Sequence, residues 1–151
     1  MSAPVLVLNT GSSSLKYRVV DATDGTVAAS GLVERIGEAG SRVVHTVDGS
    51  THVLERDLAD HEAAVGAALD AFATHGPDLA HLGLVAVGHR VVHGGTRFSA
   101  PVLVDDDLVA AVHQLAPLAP LHNPANAVGL EAARLLFADL PHVAVFDTAF
   151  H

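Results

Sequence analysis

The hydrophobic period first changes along this chain at Asp60, and that change constrains the fold more than any other feature. Before it, short apolar runs are divided by turn signals. Residues 5–8 form a continuous apolar stretch, the pattern of a strand buried on both faces. Residues 15–21 half-alternate, with Leu15, Tyr17 and Val19 on one side, and a further strand is expected over 27–33 after Asp24-Gly25. Asp48-Gly49 marks a hairpin that joins 43–47 to 52–55. The first third therefore predicts an antiparallel meander.

After Asp60 the spacing becomes helical. Val65, Ala68, Leu69 and Phe72 recur behind an aspartate able to cap, and the segment stops at His75-Gly76-Pro77. A strand is expected over 84–92, a helix over 106–115 with Leu108, Val109 and Val112 as its stripe, and another over 124–138. The last starts with Asn123 as cap and Pro124 in the first turn. A strand over 143–146 then delivers Asp147. Hairpin strands followed by strand–helix alternation predict an α/β fold, a mixed sheet covered by helices, in one domain spanning 1–151. Neither a repeat nor an internal linker interrupts it. The closing residues read as the interior of a longer sequence.

With half its residues hydrophobic, a chain of 151 can bury a core without staples. It has no cysteine, which removes thiolate metal sites and cysteine nucleophiles and fits a cytoplasmic location. Seventeen Asp and Glu stand against eight Lys and Arg, a net charge of -9, so neither nucleic acid nor an anionic membrane is an expected partner. The N-terminal apolar run is too brief for a signal peptide, and no segment reaches the length of a membrane span. Lys16 is the only lysine, and it follows a glycine-serine cluster.

That cluster, Asn9-Thr10-Gly11-Ser12-Ser13-Ser14, offers backbone N–H groups and hydroxyls within a few residues of a compact cation. Its chemistry suits phosphate, although the spacing is not that of a Walker loop and a strand is expected to follow. A hairpin turn that binds nothing has the same composition. In Gly88-His89-Arg90-Val91-Val92-His93-Gly94-Gly95 a strand ends in a glycine pair. Alternation puts Arg90 and Val92 on one face, a guanidinium beside an isopropyl group, as a small methylated carboxylate would require. His89 and His93 fall on the other face as hydrogen-bonded core or rim residues, since no third ligand accompanies them. The triplet Asp105-Asp106-Asp107 reads as a charged helix start rather than a metal cluster. His122, before a helix start, is able to donate to an anion, and Asp147 ends a strand where open α/β sheets place working residues.

Taken in order and spacing, residues 5–17, 88–95, 118–124 and 143–151 resemble the acetate kinases, members of the actin-like, sugar-kinase and Hsp70 superfamily with its ribonuclease H-like domains. The resemblance implies magnesium-dependent, reversible phosphoryl transfer between ATP and acetate, giving ADP and acetyl phosphate. By position it implies Asn9 near the metal and γ-phosphate, and Ser12, Ser14 and Lys16 at the phosphates. It gives Arg90 the acetate carboxylate and the transferring group, and Val92 and Leu121 the methyl pocket. His122 matches an active-site histidine and Asp147 the catalytic carboxylate. It further implies that this is an N-terminal domain, inactive alone, whose second domain completes the site and builds a homodimer. Propionate or butyrate kinase, or a non-catalytic phosphate-binding module, are the alternatives.

Overall fold

The computed structural model describes residues 3–11, 13–91, 102–103, 137 and 140–146. Five strands come first: β1 (Pro4–Thr10), β2 (Leu15–Asp21), β3 (Val27–Glu34), β4 (Arg42–Val47) and β5 (Ser50–Glu55). Then follow α1 (His61–His75), the short α2 (Leu79–Leu82), β6 (Ala86–Val91), the two-residue β7 (Val102–Leu103) and β8 (His142–Phe146). The sheet runs β5-β4-β3-β2-β1-β6-β8-β7. Strands β1 to β5 pair antiparallel as a meander, β6 joins β1 and β8 joins β6 in parallel, and β7 returns antiparallel on β8. The mixed sheet expected from the period change is the one observed. Neither α2 nor β7 is visible in the hydrophobic pattern, because four and two residues are too few to show a period.

The local signals act where they were read. Asp48 (φ 52°) and Gly49 (φ 77°) both take the left-handed region that a two-residue hairpin requires. Asp60 is extended, and its side chain accepts the Ala63 N–H at 2.8 Å, while Gly76 (φ 81°) closes α1 with its N–H on the Phe72 carbonyl.

Cross-strand register divides the sheet into two unlike faces. On one, Leu6 and Leu8, Leu15, Tyr17 and Val19, Val33, Val43 and Val87 are buried in a single core, to which α1 contributes Ala64, Val65, Ala68 and Phe72. The small side chains of α1 let the helix lie close across β2, β3 and β4. Tyr17 sits at the centre of this face, its hydroxyl 2.6 Å from His45 Nδ1 and its ring 5.4 Å from that of Phe72. His45 Nε2 lies 2.8 Å from the Gly76 carbonyl. A carbonyl only accepts, so Nε2 carries the hydrogen and Nδ1 accepts from Tyr17. Burial pushes the Tyr17 hydroxyl well above its usual pKa.

One expectation changes here. β1 is not buried on both faces: Pro4, Leu6, Leu8 and Thr10 are buried, whereas Val5, Val7 and Asn9 are only partly so. Its apolar run is continuous because the second face is the floor of a shallow cavity, lined in part by Val7. No helix among the described residues is long and apolar enough to cross a membrane.

Candidate functional site

The second face gathers the polar residues singled out above. Asn9 pairs with Lys16 on β2 and with Arg90 on β6, so the register sets Lys16, Asn9 and Arg90 in one row across three adjacent strands. Inter-strand spacing puts the outer two backbones roughly 10 Å apart. The row lies at the carboxyl ends of the parallel strands β1 and β6, where α/β sheets place their ligands. Its side chains open onto a cavity of about 510 Å³, whose wall also includes Val7, Arg18 and Leu32. With Lys16, Arg18 and Arg90 around it, this hollow attracts anions despite the chain's net charge of -9.

A second basin, of about 680 Å³, lies between the β3–β4 loop and the end of β5. Its lining balances Arg35, Arg42 and Arg56 against Glu34, Glu55 and Asp57, with Arg42 on Glu34 at 2.9 Å and Arg56 turned to Asp70 at 2.7 Å. It therefore has little field with which to draw an anion.

The turn between β1 and β2 is held at three points. Gly11 donates to the Ser14 carbonyl at 2.8 Å and closes it. From the end of β3, Ile36 donates to the Ser13 carbonyl at 2.9 Å. From the start of α1, His61 Nε2 lies 2.8 Å from the Gly11 carbonyl. A Cβ at Gly11 would stand 2.6 Å from Ser14 Oγ, so a larger residue there would turn the Ser14 hydroxyl away.

On β6 the alternation expected from sequence is observed. Arg90 is exposed on the cavity side, and His89 is buried on the core side. His89 Nε2 is 2.9 Å from Nδ1 of His142 on β8, and His142 Nε2 is 2.9 Å from the Phe137 carbonyl. The same donor logic makes His142 the acceptor of the His89 N–H. Burial, aided by the neighbouring His142, lowers the His89 pKa from 6.5 to about 3. His89 is thus a neutral structural histidine.

Among the described residues no group of three or more His, Asp or Glu side chains is arranged to hold a metal. Near the row the oxygen donor is the Asn9 amide, set between two cations. That donor set fits magnesium carried on phosphate groups, which needs few protein ligands and keeps its waters; it does not fit a resident dication. Ser12, Val92, Leu121, His122 and Asp147, with the helices expected over 106–115 and 124–138, lie outside the described residues. The family resemblance, not the residue pattern alone, brought Asn9, Lys16 and Arg90 into one site, and neither pointed to His61. The one local signal for it was a histidine directly behind a capping aspartate.

A meander continued by parallel strands, with cations and an amide at the strand ends, defines an α/β domain of the actin-like ATPase type. The family model that matches is the acetokinase family, over residues 4–151. The acetate kinase of Streptomyces coelicolor is 53% identical over 152 residues, covering 99% of this chain and 37% of that protein. That of Thermotoga maritima is 50% identical, covering 97% and 37%. The crystal structure of Porphyromonas gingivalis acetate kinase superposes with a TM-score of 0.92 at 43% identity, over 98% of this chain and 38% of that one. A propionate kinase from Francisella tularensis superposes at 0.88 with 37% identity, over 99% and 38%. The chain belongs to the acetokinase family, and it spans a little over a third of the length of these relatives.

Proposed function

We propose that this chain is the N-terminal, phosphoryl- and acyl-binding domain of an acetate kinase, a cytoplasmic enzyme that transfers phosphoryl reversibly between ATP and acetate. The observation that carries it is the in-register row of Lys16, Asn9 and Arg90 at the mouth of an anion-attracting cavity. In the forward direction an acetate oxygen forms a bond to the γ-phosphorus while the bond to the β,γ-bridging oxygen breaks, its electron pair leaving on ADP. Such a transfer asks the protein for in-line placement and for positive charge near the equatorial oxygens. Lys16 and the turn residues Ser12 and Ser14 hold the phosphates, and Arg90 holds the acetate carboxylate and steadies the group in transit. Asn9 would approach a magnesium ion carried by the nucleotide, which would supply positive charge against the phosphates.

Val92 and Leu121 wall the acetate methyl group, and His122 donates to the transferring group. Acetate is ionised at neutral pH, so Asp147 need not remove a proton from it. We assign Asp147 to orienting Arg90 or the metal's water shell. The remainder of the site, and the homodimer contact, are placed in a second domain of the longer protein. Acetate is favoured over propionate because the relatives at 53% and 50% identity are acetate kinases; the propionate kinase superposition supports the wider acyl group as the second reading.

Calorimetric titration of the chain tests the assignment. Lys16→Ala should weaken magnesium-ATP about tenfold or more and Arg90→Ala should weaken acetate similarly, as expected for loss of a charge-assisted contact. Unchanged affinities in both variants would remove the site.

A further inference from the structure

We infer that His61 is a positioning residue for the phosphate turn, acting through the Gly11 carbonyl; this rests on the phosphate reading of that turn given above. His61 is the first residue of α1 and is 9% exposed, and its Nε2 donates to Gly11 across 2.8 Å. The two residues are 50 positions apart, so the bond joins the turn to an element that is remote in sequence. The internal Gly11–Ser14 bond closes the turn over the Thr10–Leu15 pair, where the β1–β2 register ends. Among the described residues two donors from outside the turn add to that strand pairing, the Ile36 N–H on Ser13 and the His61 ring on Gly11.

The two donors differ in what fixes them. Ile36 follows directly on the same meander, whereas His61 is set by the capped start of α1 and by the packing of Ala64, Val65 and Ala68 into the core. The helix thereby transmits its position to the turn. The His61 bond fixes which way the Gly11 carbonyl points, and with it the set of the turn's described residues Gly11, Ser13 and Ser14. Orientation fixed before binding spares the ligand the cost of ordering the turn. His61 thus serves nucleotide binding without touching the nucleotide, and has no such link to acetate at Arg90.

Replacement of the ring distinguishes this role from a merely structural one. His61→Gln keeps a side-chain N–H donor at similar reach, and His61→Phe fills the space without one. The chain and both variants are titrated by calorimetry with magnesium-ATP and, separately, with acetate, with Lys16→Ala as reference. The expected result is magnesium-ATP weakened about five- to tenfold in His61→Phe and held within about twofold in His61→Gln, with acetate unchanged in both. Wild-type nucleotide affinity in His61→Phe, equal loss of both ligands, or failure of glutamine to rescue overturns the inference while Lys16→Ala still weakens. If the unaltered chain takes up no magnesium-ATP, or Lys16→Ala leaves its affinity intact, the phosphate reading falls and the inference falls with it. Should His61→Phe not fold, His61→Ala takes its place with the same outcomes.

Discussion

Gly31 lacks a side chain because Tyr17 fills the space one would need: a Cβ there would stand 2.0 Å from the Tyr17 Cζ. The ring cannot retreat without giving up its 2.6 Å bond to His45 and its contact with Phe72. Gly31→Ala should therefore lower stability by about 2–3 kcal/mol, the sum of overpacking and a strained buried hydrogen bond. Urea unfolding measures it, and a loss under about 0.5 kcal/mol, the scale of a neutral surface change, would contradict the packing described. The consequence reaches the site, because Tyr17 precedes Arg18 and follows Lys16, both on the cavity side. Anchoring the ring on the core face keeps those two cations on the other.

Between elements, the backbone pairing of β6 with β8 is accompanied by a buried hydrogen bond between His89 and His142. His89 stays neutral in the fold, with a pKa of about 3 against 6.5 for an ordinary histidine. The unfolded chain therefore takes up a proton below about pH 6.5 that the folded chain refuses. Stability is complete above that value and is lost as pH falls from there toward about 3, at on the order of 1.4 kcal/mol per unit. Between pH 6.5 and 5 the loss should be about 2 kcal/mol. Urea unfolding at the two pH values, with His89→Gln beside the unaltered chain, isolates this contribution. The variant should show a shallower acid dependence, and equal slopes would mean that His89 is not neutral and buried as described. Because Arg90 is the next residue on β6, acid should loosen the strand that presents it.

At the scale of the molecule, what was legible in the sequence is what is decided within a few residues. The Asp48-Gly49 turn, the Asp60 cap, the Gly76 stop and the alternation that separates His89 from Arg90 are all local, and each was read correctly. The pairing of β6 with β1, which sets Arg90 beside Asn9, joins distant segments through backbone register and leaves no trace in hydrophobic spacing. The same holds for the bond from His61 to Gly11. The burial of β1 was misjudged for a related reason: an apolar run shows that a face is not polar, not that something covers it. Family resemblance supplied the missing link between Asn9, Lys16 and Arg90, and the register gives it a physical basis.

That row is the central claim, and amide NMR spectra of the chain titrated with acetyl phosphate test it most directly. The amides of Asn9, Gly11, Ser14, Lys16 and Arg90 should shift together with one affinity, and the shifts should weaken in Lys16→Ala. Shifts centred instead on the basin between Arg42 and Arg56, or none in the row, would contradict it.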